Sequence, residues 1–255
     1  LGLPEEFGRG RIVDTPISEK AIAGAAVGAA TVGMRPIADM QYADFLFECM
    51  DELVNQAAKL RYMSGGKVSV PMVMRAPVGA TNRGAQHGQS PESFFAHVPG
   101  LKVVCVSDAY HAKGLLKSAV RDDNPVLIFE HKLLYKTKGL VPAGPYRTPI
   151  GKAAVRREGS DLTIVASSIM AVKAQAAAEK LAAAGVSAEV IDLRSLRPID
   201  FDTIAASVRK THRLMNVYEG VKTMGIGAEI SAMIAESDAF DFLDAPIVRL
   251  GGADS

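Results

Sequence analysis

VPMVMRAP (Val70–Pro77), followed almost at once by GATNRGAQHGQSPESFFAH (Gly79–His97), decides how this chain folds. The first stretch is nearly continuous in apolar residues, the pattern of a strand buried on both faces in a parallel sheet. The second is long, polar and rich in glycine, and the chain leaves it through a helix start near Pro91. Strand, loop and helix in that order make the repeating unit of an α/β fold. Loops at the carboxyl ends of parallel strands are where such folds place ligands.

The same alternation continues on both sides. Ser18 caps a predicted helix that runs to a glycine stop at Gly33, and RPIADMQY reads as a short strand. Phe45 to Ser64 predicts one long amphipathic helix, with Phe45, Cys49, Leu53, Ala57 and Leu60 on a single stripe. LKVVCV is a strand, Ala109 to Arg121 a helix and PVLIFEH another strand. From about Lys132 the pattern dissolves into a stretch rich in Pro, Gly and Lys. We expect a first domain over 1–135, a linker over 136–150 and a second domain over 151–255. In the second, LTIVASS, SAEVIDLR, RLMNVYEG and APIVRLG are strands, separated by helices over Met170–Ala184, Asp200–Lys210 and Gly227–Ala235. The expected class is α/β, two doubly wound domains. The opening LGLPEEFGRGR and the closing PIVRLGGADS both read as cut ends, so the second domain is expected to be incomplete.

Composition narrows the function. Of 255 residues, 48% are hydrophobic and 22% charged, enough for a sizeable core. The formal charge is +1 and the basic residues are dispersed, which gives no nucleic-acid groove. The two cysteines, Cys49 and Cys105, sit far apart in apolar contexts, as expected of free thiols in the cytoplasm of a bacterium or, in a eukaryote, the mitochondrial matrix. The longest uncharged run, Ala21–Met34, is shorter than the roughly 20 residues of a membrane span.

Two residues stand out for chemistry. His87 lies in the glycine-rich loop between Gln86 and Gly88, where an exposed imidazole can donate or accept a proton; an ordinary solvated histidine is the alternative. Glu19 opens a helix built almost wholly of Ala, Gly, Val and Ile. An acid in a first helical turn is favoured by the helix dipole by roughly 0.3–1 kcal/mol, which accounts for it without any ligand. Gly24, Ala25, Gly28 and Ala29, however, predict a close-packed, buried helix, and a carboxylate at its mouth then needs a partner such as a ligand base. GIGAEIS (Gly225–Ser231) resembles half a dinucleotide fingerprint but lacks the third glycine, and reads better as tight strand–helix packing.

The segments RIVDTPISE, GAAVGAATVGMRPIADMQYADF, GAQHGQSPESFFAHVPGLKVV, AKGLLKSAVRDDNPV and IDLRSLRPID closely resemble the β subunits of thiamine-diphosphate-dependent E1 enzymes. These are the 2-oxo acid dehydrogenases and acetoin dehydrogenase, and the resemblance runs in order along essentially the entire chain. It implies a transketolase-like pyrimidine-binding domain followed by a transketolase C-terminal domain. It implies further that Glu19 hydrogen-bonds the aminopyrimidine of the cofactor, that Phe45 lines that ring, and that Gln41 is a polar neighbour. His87 matches the histidine of the family's HSQS signature, implicated in acyl transfer; here the motif is HGQS, and Gly88 removes a hydroxyl. Asp122 and Asn124 match a family site for a monovalent cation, potassium, although a turn before Pro125 explains them equally.

No Gly-Asp-Gly occurs in the chain, so the Mg²⁺ and diphosphate contacts are expected from a separate α subunit in an α2β2 assembly, with lipoylated E2 as acyl acceptor. FEHKLLY and VPAGPYRTPIGKA lean toward the acetoin or branched-chain enzymes. The alternatives are a non-catalytic α/β scaffold and an enzyme of the transketolase or deoxyxylulose-phosphate synthase kind.

Overall fold

The computed structural model describes residues 2–254. In chain order the elements are α1 (Leu3–Phe7), α2 (Glu19–Thr31), β1 (Ile37–Asp39), α3 (Leu60–Met63), β2 (Val73–Val78), α4 (Glu92–Ala96), β3 (Lys102–Val106), α5 (Ala109–Ala119) and β4 (Val126–His131). They continue with β5 (Ala154–Arg157), β6 (Leu162–Ala166), α6 (Ser168–Ala183), β7 (Ala188–Asp192), β8 (Ser195–Arg197), α7 (Phe201–Thr211), β9 (Leu214–Val221), α8 (Ile226–Ala235) and β10 (Val248–Gly252).

Two five-stranded sheets result, ordered β1-β2-β4-β3-β8 and β10-β9-β6-β7-β5. Each is parallel except for one antiparallel edge, β8 on β3 and β5 on β7. Alternation along the strands covers both faces of the first sheet. Val73, Val104, Val126 and Ile128 face α5, whereas Met74, Val103, Cys105, Leu127 and Phe129 join a core with α2. In the second sheet Ile164, Ala166, Val190 and Val217 pack on the alanines of α6, while Val165, Ile191 and Leu214 face α7 and α8. Both units are therefore doubly wound.

Three features depart from the sequence reading. The helix expected over Phe45–Ser64 is wound unevenly: a 3₁₀ run over Ala43–Cys49, a π run over Asp51–Ala57, and only then α3. Leu46, not Phe45, is fully buried with Cys49 and Leu53, because the tight first turns carry Phe45 off the core stripe. The small-residue face of α2 is not buried within this chain. Its core contacts are Ala23, Ala26, Val27 and Ala30, and Ala25 and Gly28 are exposed because nothing among the described residues lies over them. Finally, β8 comes from the second half of the sequence yet extends the first sheet, so the two halves share a seam.

Charged groups fasten that seam. Arg156 donates to the Ser107 hydroxyl and to the fully buried Asp192, both at 2.9 Å. Arg197 donates to the Ala96 carbonyl at 3.0 Å. Glu92, opening α4, lines a cavity of about 20 Å³ at the seam together with Ser90, Ser168 and Glu219. Burial, with the Glu219 charge adding to it, pushes the Glu92 carboxyl up from 4.5 to about 7. Between those values the folded chain holds a proton that the unfolded chain has lost, so stability falls as pH rises through that window. Glu92→Gln is expected to raise the melting temperature by a few degrees at pH 8, about 1–2 kcal/mol, and to change little at pH 4. Thermal melts of both proteins at the two pH values check this.

Candidate functional site

Glu19 is the first residue of α2, and Ser18 precedes it in extended conformation. Ser18 caps through its backbone, its carbonyl accepting from the Ile22 amide at 3.0 Å; its side chain makes no cap hydrogen bond. Between α2, the end of β1 and the segment 11–17 lies a cavity of about 550 Å³. Its lining is mostly apolar, including Ile22, Ala26, Ala38, Met40 and Phe45, with Glu19 and Gln41 set among them. The half-buried Glu19 carboxylate has no side-chain partner among the described residues. An aromatic heterocycle fits this lining: apolar walls for its faces, with the Glu19 carboxylate and the Gln41 amide for its nitrogens, while Arg11, Asp14 and Asp39 complete the polar part of the lining.

His87 reaches the same place from the other direction. Its ring stands edge-on to Phe45 and Tyr42, with centroids 5.5 Å and 4.8 Å away. The loop carrying it is held at three points. The Gly79 amide donates to the Gln89 carbonyl at 3.0 Å, and the Gln89 amide and side chain donate to Asp44 Oδ1 at 3.2 and 3.0 Å. Lys132 Nζ donates to the His87 carbonyl at 2.6 Å. A Cβ at Gly88 would lie 3.3 Å from the Gly84 carbonyl, so a serine there would press on the loop without blocking it.

A second tether crosses the seam. Glu219 on β9 accepts from the Ala80 amide at 3.1 Å and pairs with His131 Nε2 at 2.6 Å. His131 Nδ1 accepts from the Leu133 amide at 3.2 Å, so Nε2 carries the proton and donates. Gly79 has φ +97°, and a Cβ there would fall 1.9 Å from His131 Nε2; only glycine lets the loop leave β2 against that ring.

Sequence reasoning missed Tyr42, Asp44, Lys132, His131 and Glu219. Tyr42 and Asp44 had a signal, both belonging to YADF. The other three lacked one, because the partners that tie them to the loop are 45 to 139 positions away. The glycines of GIGAEIS do serve packing: a Cβ at Gly227 would meet the Tyr218 ring at 2.4 Å.

Asp122 and Asn124 lie elsewhere, in the turn before β4. Asp122 Oδ1 accepts from the Asn124 backbone and side-chain amides at 3.0 and 2.9 Å, and its other oxygen pairs with Lys102. Asn124 Oδ1 accepts from Arg61 at 2.9 Å. These side-chain oxygens already face protein cations and donors, and as arranged they do not fit a further cation. Among the described residues no three His, Cys, Asp or Glu side chains cluster as a metal site, and no helix is long and apolar enough to cross a membrane.

Fold and cavity together define a class: a two-sheet α/β protein with a ring-sized, acid-bearing cavity beside its first sheet. Residues 2–138 match the family described as transketolase, pyrimidine binding domain, and residues 151–255 match transketolase, C-terminal domain. The 2-oxoisovalerate dehydrogenase subunit beta of Bacillus subtilis is 50% identical, over 99% of this chain and 78% of its own. The mitochondrial pyruvate dehydrogenase E1 component subunit beta of Caenorhabditis elegans is 49% identical, over 99% and 73%. The beta subunit of acetoin:2,6-dichlorophenolindophenol oxidoreductase from B. subtilis is 47% identical, over 98% and 73%. Among solved structures, a split-gene transketolase described as an inactive β4 tetramer superposes with TM-score 0.77 at 28% identity, covering 93% of this chain and 73% of that one. The chain belongs to the transketolase-like family of thiamine-diphosphate-dependent E1 β subunits.

Proposed function

We propose that this chain is the β half of an E1 enzyme that decarboxylates a 2-oxo acid, or cleaves acetoin, and passes the acyl group to lipoyl-E2. The observation that carries the reading is that Glu19, Gln41 and Phe45 line one cavity and the His87 ring stands against its Phe45 wall. When bound, thiamine diphosphate supplies a nucleophilic carbon beside a positive nitrogen that takes up the electron pair released on cleavage. Glu19 holds a pyrimidine nitrogen by a hydrogen bond that bulk water does not contest from the apolar wall. Phe45 offers the ring a face, and the Gln41 amide fixes its orientation. His87 gives and takes a proton on the substrate side, with its loop pinned by Asp44 and Glu219.

An α subunit supplies the Mg²⁺ and diphosphate contacts in an α2β2 assembly. Two observations support this: the chain has no Gly-Asp-Gly, and the structurally similar split-gene chain is inactive as a β4 tetramer. The exposed Ala25 and Gly28 on α2, with Ile17 at 91% exposure beside them, suit close packing by a partner chain. We place the division between domains at 136–150 and the complex in a reducing compartment, where the buried Cys49 and Cys105 remain free thiols. Burial, with Glu52 and Glu19 adding, pushes the Cys49 thiol up to about 12, which keeps it unreactive.

Dye-coupled turnover of the co-expressed α/β complex tests the proposal. The substrates are pyruvate, 2-oxobutyrate, 3-methyl-2-oxobutanoate, 2-oxoglutarate and acetoin, each with and without thiamine diphosphate. Cofactor-dependent activity on one of them is expected. Silence together with failure to bind the cofactor would favour a scaffold instead.

A further inference from the structure

Gln41 and Tyr42 line a second cavity as well, of about 560 Å³, and its charged lining residues are all cations: Arg83, Lys132 and Lys136. Arg83 donates one N–H to the Tyr42 hydroxyl at 2.8 Å, leaving most of its fork uncommitted. Lys132 sits 5.1 Å from the centre of the Tyr42 ring and spends one N–H on the His87 carbonyl. Burial, with the Arg83 charge adding to it, holds its ammonium below the ordinary range against the opposing pull of Asp44, Tyr42 and Glu219. Thr81 lines the same space, and its buried hydroxyl oxygen has no hydrogen-bond partner among the described residues. A buried polar atom without a partner, beside an arginine and a lysine with N–H groups to spare, points to a small anion with oxygen acceptors.

We propose that this cavity is the subsite for the carboxylate of a 2-oxo acid, held by Arg83 and Lys132 with the Thr81 hydroxyl as a further donor. The inference rests on the reading of the Glu19 cavity as the cofactor site, and it chooses among the substrates which that reading leaves open. The shared Tyr42–Gln41 wall puts the two cavities side by side, so a substrate held next to the Glu19 cavity would have the cations within reach of its carboxylate. Acetoin is neutral and has no group for this place. A guanidinium takes both oxygens of a carboxylate at once, which makes Arg83 the main determinant.

The test uses the co-purified α/β complex freed of cofactor, so that ligands bind without reacting. The probes are 3-methyl-2-oxobutanoate, acetoin and inorganic pyrophosphate, titrated by calorimetry or ligand-observed NMR. Arg83→Leu is expected to weaken 2-oxo acid binding tenfold or more. Arg83→Lys, which keeps the charge but loses the two-pronged contact, should recover only part of the affinity, and acetoin should be unaffected by either change. Unchanged 2-oxo acid affinity in Arg83→Leu would overturn the subsite. So would an equal loss for acetoin, which would mean damage to the loop, or Arg83-dependent binding of pyrophosphate in place of the 2-oxo acid, which would assign the cations to a diphosphate. In the reconstituted holoenzyme the same substitution should raise KM for the 2-oxo acid about tenfold. Turnover with an unchanged KM overturns the subsite and leaves the E1 reading. Arg83-dependent binding with no turnover of any substrate overturns the E1 reading and leaves the subsite.

Discussion

Glu19→Ala should lower turnover of the reconstituted complex by about two to four orders of magnitude while leaving the fold and melting temperature nearly intact. The structural stake of Glu19 is small. It is half-buried and contributes the helix-dipole interaction of an acid in a first turn, about 0.3–1 kcal/mol. Its chemical stake is large, because a positioned acid that shares a proton with a reacting heterocycle contributes typically 10²–10⁴-fold. Glu19→Gln separates the two roles: it preserves shape and hydrogen-bonding capacity but cannot exchange a proton. Circular dichroism melts, turnover and thiamine diphosphate affinity should be measured on both variants. Full activity in either variant would sink the role assigned here.

The two sheets were readable because their strands are apolar runs of five or six residues, such as VMRAPV and KVVCV, that stay buried wherever the helices fall. What escaped were the edges. AVRR at β5 and SLR at β8 are short and partly charged, and each exists only because a neighbouring strand offers an edge to pair with. The helical stripe from Phe45 was right in kind and wrong in phase. A regular 3.6-residue period would bury Phe45, whereas the tight 3₁₀ start frees it for the cavity and buries Leu46. The candidate site divides in the same way. Glu19, Gln41 and Phe45 belong to segments whose local sequence sets their position. The groups that aim His87, among them Asp44, Lys132 and Glu219, act across 45 residues or more, or across the seam, which no local pattern records.

Glu219 carries the second large effect. It is a residue of the second sheet that hydrogen-bonds to both His131 and Ala80 at the start of the His87 loop. His131 is only 1% exposed, so Glu219→Ala leaves its Nε2–H and the Ala80 amide without their acceptor. A buried donor left unpaired costs about 1–3 kcal/mol, or about 3–9 °C of melting temperature for a chain of this size. Burial raises the Glu219 carboxyl, but the hydrogen bonds from His131 and the Ala80 amide outweigh it and hold the carboxyl below its ordinary 4.5. A carboxylate held low stabilises the fold above that value and loses its contribution as pH falls through its folded pKa. The stability gap between wild type and Glu219→Ala should therefore be full at pH 7 and shrink below about pH 4.5. Glu219→Gln, which keeps an acceptor, should recover part of it. Because the lost contact anchors Ala80, amide exchange over residues 80–89 should quicken in the alanine variant, and turnover should fall with it. A melt at pH 7 that matches wild type, or exchange in the loop that does not change, would mean that His87 is aimed from the first sheet alone.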